Sequence, residues 1–186
     1  FTSAIRAVES VVEQDLYNYF MAQGNDYTLG VRIGLFVQAV SDSLVQQNYP
    51  ERGLEKTVGL IENTTYGRAT WEMLKNRVYP DFGIESLDAI FNDTDTDDYT
   101  PLFDQIRKKN PDFITLVQSV NDLPPIKGWH DLNVSIPMLG IATSATGPHF
   151  WKDTEGGSAG APCLQNSTPY SEEVSSELCR KVYEDR

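Results

Sequence analysis

Between residues 123 and 169 the chain places prolines at 124, 125, 137, 148, 162 and 169 and glycines at 128, 140, 147, 156, 157 and 160. Proline removes a backbone donor and glycine weakens any regular element, so this spacing leaves no room for a long helix. The section is expected to be loop with short strands, one of them within residues 133–142, where apolar and polar residues loosely alternate. An irregular stretch of this length inside a compact unit commonly carries function, so it is the first place to look for a site.

The preceding sequence reads differently. Ile5, Val8, Val12, Leu16 and Tyr19 recur at three- and four-residue steps, which predicts an amphipathic helix over 3–23, capped by Thr2 or Ser3 and closed by Gly24. Leu29, Ile33, Val37, Val40 and Leu44 predict a second over 27–47, antiparallel to the first. Residues 54–62 are apolar enough for helix or strand, and helix is favoured. Trp71, Leu74 and Val78 give a helix over 69–78, and shorter ones are expected over 84–91, 101–109 and 111–120, the last two opening with proline. A final helix over 171–184 starts at Ser171. The expected fold is therefore mainly α: one domain over 1–186, with a helical array over 1–121, a loop-rich section over 122–170 containing little β, and a closing helix over 171–186.

The stretch Gly24-Asn25-Asp26-Tyr27 followed by Leu29 to Gln38 resembles the opening of the first membrane segment in a family of uncharacterised fungal membrane proteins. The resemblance covers about 15 residues and implies no activity, cofactor or site residue. The apolar run 29–45 is interrupted by Arg32, Gln38 and Asp42, so a soluble chain without a membrane span is expected.

Composition narrows the setting. Twenty-seven acids against 15 Lys and Arg give a net charge of −12, which repels nucleic-acid backbones and anionic membranes, while 40% hydrophobic content is enough for a packed core. Sequons at Asn63, Asn92, Asn133 and Asn166 point to a secreted glycoprotein. The first residues lack a signal-peptide profile, so a leader is expected to have been removed. In an oxidising compartment the two cysteines, Cys163 and Cys179, would form one disulfide pinning the loop-rich section to the closing helix.

Three places could carry chemistry. In the twelve-residue stretch Asp93 to Asp104, Asp93, Asp95, Asp97 and Asp104 fall at positions one, three, five and twelve, with the Tyr99 carbonyl at seven. Those are calcium-ligand positions, although Asp98 stands where the turn glycine belongs and Asp104 is shorter than the usual glutamate; a solvated acidic loop is the alternative. The only histidines, His130 and His149, each lie beside a tryptophan, Trp129 and Trp151, the second separated by Phe150. If they converge they could ligate a transition metal, act as a general base, or furnish a pocket with aromatic walls; otherwise the aromatics form a local core. As its sequence neighbour, Asp131 is a poor partner for His130. Glu62 could serve as a glycosidase acid if a second carboxylate faced it. No Gly-x-Ser-x-Gly or His-Glu-x-x-His motif is present. The preferred reading is a secreted ligand-binding protein for a small molecule or glycan, with a pocket at Trp129, Phe150, Trp151 and the histidines. The alternatives are a small secreted hydrolase, carbohydrate-directed if anything, or a structural or host-interaction protein.

Overall fold

The computed structural model describes residues 26–47, 53–147 and 149–158. The expected helices over 3–23 and 171–184, the cysteine pair Cys163 and Cys179, and the sequon at Asn166 lie outside the described residues.

The architecture is α/β, which overturns the expected mainly α array. Four strands, β1 (Lys56–Glu62), β2 (Glu85–Asn92), β3 (Phe113–Gln118) and β4 (Met138–Ala142), form one parallel sheet in the order β2-β1-β3-β4. Helices join them: α1 (Asp26–Gln46) precedes β1, α2 (Thr65–Met73) follows it, α3 (Thr100–Lys109) precedes β3, and α4 (Leu123–Asp131) precedes β4. A short α5 (Phe150–Asp153) comes after a 3-10 turn at Thr143–Thr146.

Three segments expected as helix, 54–62, 84–91 and 111–120, are β1, β2 and β3. β1 and β3, covered on both faces, are apolar nearly throughout and lose the alternation that identifies a half-buried strand, whereas β2 is an edge strand with only Ile90 and Asn92 buried. All six residues of β3 are buried, as are six of seven in β1. The pleat is still legible in where the side chains go. Ile61, Phe113, Val117 and Leu139 pack with Leu29, Ile33 and Val37 of α1 and with Trp71, Leu74 and Tyr79 on one face. Val58, Leu60, Ile114, Leu116 and Met138 pack with Phe103 and Ile106 of α3 and Ile126 of α4 on the other. By length and composition Tyr27–Gln46 could also cross a membrane; here Leu29, Ile33 and Val37 serve the core.

Local chemistry sets the helix ends. Thr64 caps α2, its hydroxyl accepting the Gly67 N–H at 3.0 Å, an interaction worth about 1 kcal/mol. The helix widens into a π turn at Leu74–Val78, tightens to 3-10 at Tyr79–Phe82 and stops at Gly83, whose φ of 68° is left-handed. Pro101 and Pro124-Pro125 occupy first turns, where a missing N–H costs nothing. In α4 this reverses the sequence expectation: the two prolines that suggested loop open a helix. The β strand expected within 133–142 is present as β4.

Candidate functional site at the carboxyl edge of the sheet

From β1 the chain moves outward to β2, then returns across β1 to β3 and on to β4, so the strand order reverses between β1 and β3. Loops leaving those two strands diverge to opposite faces and leave a crevice at their carboxyl ends, the usual ligand position in open sheets of this kind. The residues there are polar, and most are tied to one another.

Gln118, the last residue of β3, reaches across the end of β1. Its amide nitrogen donates to the Leu60 carbonyl at 3.3 Å and to Asn92 Oδ1 at 2.8 Å, and Asn92 Nδ2 returns a bond to Gln118 Oε1 at 3.3 Å. Asn92 Nδ2 also donates to the Tyr99 hydroxyl at 3.0 Å. Both amides are buried, so these bonds satisfy groups that would otherwise be costly to dehydrate.

Glu62, the last residue of β1, is fully buried, with its carboxylate in a cradle made by the loop after β3. It accepts the Ser119 hydroxyl at 2.5 Å, the Ser119 N–H at 3.2 Å, and the Val120 and Asn121 N–H groups at 2.9 Å each. Burial pushes its pKa up, but the Ser119 hydroxyl and the three backbone donors outweigh that and hold it below the ordinary glutamate value. Gly67 lies directly over the Glu62 carbonyl, and a Cβ there would clash with it; α2 can start this close only with glycine at that point.

A second carboxylate repeats the arrangement one strand over. Asp122 accepts the Ser144 N–H at 2.6 Å and its hydroxyl at 2.5 Å, joining the loops after β3 and β4. On the β2 side, Asn63 donates to Asp93 at 2.8 Å and accepts from Arg68 Nε at 2.9 Å, and the Arg68 guanidinium lies 4.3 Å from the centre of the Phe91 ring. The whole edge is cross-linked before any ligand arrives. Val120 projects from it, 71% exposed.

The sequence candidates fare unevenly. Glu62 is at this edge, but as a buried, donor-saturated carboxylate at a strand end. A group held ionised by four donors is a poor proton donor, so the glycosidase role and the hydrolase reading built on it are not supported. The acidic stretch does not wrap an ion, because α3 begins at Thr100 and takes its second half into a helix. Asp104 pairs with Arg107 at 3.1 Å, Asp93 with Asn63, and Asp98 with the Thr100 N–H. Asp95 and Asp97 are exposed, Tyr99 is core, and no group of three potential metal ligands occurs among the described residues. The calcium and transition-metal readings are corrected accordingly.

His130 lies in the last turn of α4 and His149 immediately precedes α5, both exposed. Contrary to expectation, His130 does meet its neighbour: Nδ1 is 3.1 Å from Asp131 Oδ1. Trp129 donates to the Ile136 carbonyl at 2.9 Å and, with Phe150, packs on the core beneath α4. Trp151 is exposed. A groove of about 510 Å³ opens beside α4, lined by Asp97, Asp98, Leu123, Lys127, Asp131 and Asp153, and includes neither histidine and none of Trp129, Phe150 and Trp151. Of the sequons, Asn92 is buried in the amide network, while Asn63 and Asn133 are exposed.

Gln118, Ser119, Val120, Asn121, Asp122 and Ser144 were missed from the sequence. The signal available was a cluster of small polar residues directly after each apolar run, Glu62-Asn63-Thr64 and Gln118-Ser119 through Asn121-Asp122.

No family model matches the chain, and no curated protein matches it in sequence. Solved structures do match in fold. A leucine-binding protein from Thermotoga maritima aligns at TM-score 0.68 with 15% identity, over 94% of this chain and 47% of its own. A solute-binding protein of an ABC transporter from R. palustris, in complex with benzoate, aligns at 0.67 with 16% identity, over 90% and 43%. A branched-chain amino acid ABC transporter protein from Thermus thermophilus with bound valine aligns at 0.66 with 12% identity, over 89% and 41%. The chain thus spans less than half the length of each, and at these identities what it shares with them is the fold.

Proposed function

We propose that this chain is a small-molecule-binding lobe whose ligand lies against the carboxyl ends of β1, β3 and β4. The observation that carries the reading is the set of loops at the strand-order reversal, fixed to one another through Glu62 and Asp122 around the exposed Val120. A binding wall gains affinity when its loops are ordered in advance, because less conformational freedom is lost on association. Structures of similar fold carry benzoate and valine, molecules small enough to rest on such an edge. This places the ligand away from the aromatic pocket expected around His130 and Trp151.

The setting we propose is outside the cytosol. The exposed sequon at Asn133 supports it. Asn133 follows α4 at the amino end of β4, opposite the proposed site, so a glycan there leaves the edge open.

The test is calorimetric titration of the 186-residue chain with amino acids, aliphatic amines and aromatic acids and amines, repeated on Val120→Arg. Binding that Val120→Arg abolishes without lowering the melting temperature supports the reading. Binding untouched by that substitution sinks it.

A further inference from the structure

We propose that the ligand of this edge presents a positively charged, donor-bearing group to the lobe, an ammonium or a guanidinium, because the lobe's own carboxylates already occupy the donors that would hold an anion. The inference rests on the reading that the carboxyl edge is the ligand site.

Successive backbone N–H groups after a strand make a concave anion site, and one at a strand-order reversal is well placed to take a ligand carboxylate or phosphate. Here Ser119, Val120 and Asn121 form such a cradle and Glu62 fills it, taking the Ser119 hydroxyl as well. The N–H and hydroxyl of Ser144, on the next loop, go to Asp122. Six donors from the loops after β3 and β4 therefore end on internal carboxylates. The side-chain amides beside them are also committed, Asn63 to Asp93 and Asn92 to Gln118 and Tyr99.

Charge points the same way. Within residues 62–68, 92–98, 118–122 and 142–146 there are six acids, Glu62, Asp93, Asp95, Asp97, Asp98 and Asp122, and one base, Arg68. The Arg68 side chain is turned onto Asn63 and the Phe91 ring. An arriving anion would have to expel Glu62 from its cradle or sit against it. An arriving cation meets two buried negative charges that salt screens weakly. Val120 supplies an apolar contact for whatever carries the charge.

The experiment compares isosteric pairs on the intact 186-residue chain by calorimetry: benzylamine against benzoate, and isobutylamine against isobutyrate. The amine of a pair is expected to bind about tenfold tighter or more than its acid, and Glu62→Gln, which removes the charge at nearly constant shape, is expected to narrow that ratio. In Glu62→Ala the vacated cradle is expected to take acetate, seen as a rise in melting temperature that methylammonium does not give and the parent chain does not show. Benzoate binding as tightly as benzylamine, or an amine-to-acid ratio unchanged in Glu62→Gln, overturns this proposal while leaving the ligand site in place. No binding of either member of either pair overturns both.

Discussion

Asn92 and Gln118 stand on strands that are not neighbours, yet their side-chain amides exchange two hydrogen bonds, at 2.8 and 3.3 Å, over the end of the strand between them. The pair ties β2 to β3 across β1 and floors the crevice. Replacing Gln118 with Leu leaves the buried Asn92 amide and the Leu60 carbonyl each short of a partner, and a loss of about 2 kcal/mol in urea unfolding is expected. Asn92→Leu with Gln118→Leu should cost less than the sum of the two single changes, since the double variant leaves fewer polar groups stranded.

The same pair decides which sequons can be used. Asn92 Nδ2, the atom a glycan would occupy, is buried and already bonds to Tyr99 and Gln118. Expressed in a glycosylating host, folded protein is expected to carry no glycan at Asn92, while Asn133 is accessible. Peptide mass mapping of the folded fraction checks this; an occupied Asn92 would mean the amide network does not form.

How far the sequence foretold these features varies by element. The helix expected over 27–47 is α1, and that over 101–109 is α3, because each presents a stripe at 3.6-residue spacing beside a polar face. β1 and β3 read as helix because burial on both sides erases their period: Val58-Gly59-Leu60-Ile61 could be a turn of buried helix as easily as a strand. The site was misplaced for a related reason. In a parallel sheet the functional residues sit just past each strand, so reading β1 and β3 as helices hid the meaning of Glu62 and Ser119 through Asp122. Only a strand order, which periodicity does not supply, brings those two loops side by side.

Glu62 also predicts a pH dependence. Its pKa is lower folded than unfolded, so the unfolded chain takes up the proton first as pH falls. The stabilisation is fully present above the unfolded value and is lost as pH drops through the folded one. Parent and Glu62→Gln should therefore converge in stability on acidification and separate toward neutral pH, where the variant strands backbone donors and loses about 3 kcal/mol. Denaturant melts at pH 3 to 7 follow the two curves; parallel curves would show that Glu62 is not the titrating group.

On the opposite face, the Thr115 hydroxyl lies 2.7 Å from both the Tyr79 hydroxyl and Thr57 Oγ1, all three residues being buried. Burial pushes the Tyr79 pKa far up, with the Thr115 bond opposing it only in part. Thr115→Val keeps the shape but orphans Tyr79, and is expected to cost about 2 kcal/mol. Adding Tyr79→Phe should recover part of that loss, whereas full additivity would mean that the hydroxyls act independently.

Gly67 tests whether the edge depends on how closely α2 approaches β1. A Cβ at this position would meet the backbone of Glu62, which cannot yield as a flexible side chain can. In an ordinary helix the change to Ala would stabilise by roughly 1 kcal/mol; here Gly67→Ala is expected to destabilise by about 2 kcal/mol, as overpacking against fixed backbone does. The displaced helix start would carry Thr64 and Glu62 with it, so amide exchange at Ser119, Val120 and Asn121 should quicken although none of them is near the substitution in sequence. Faster exchange confined to α2 would instead mean that the cradle holds its carboxylate independently of the helix.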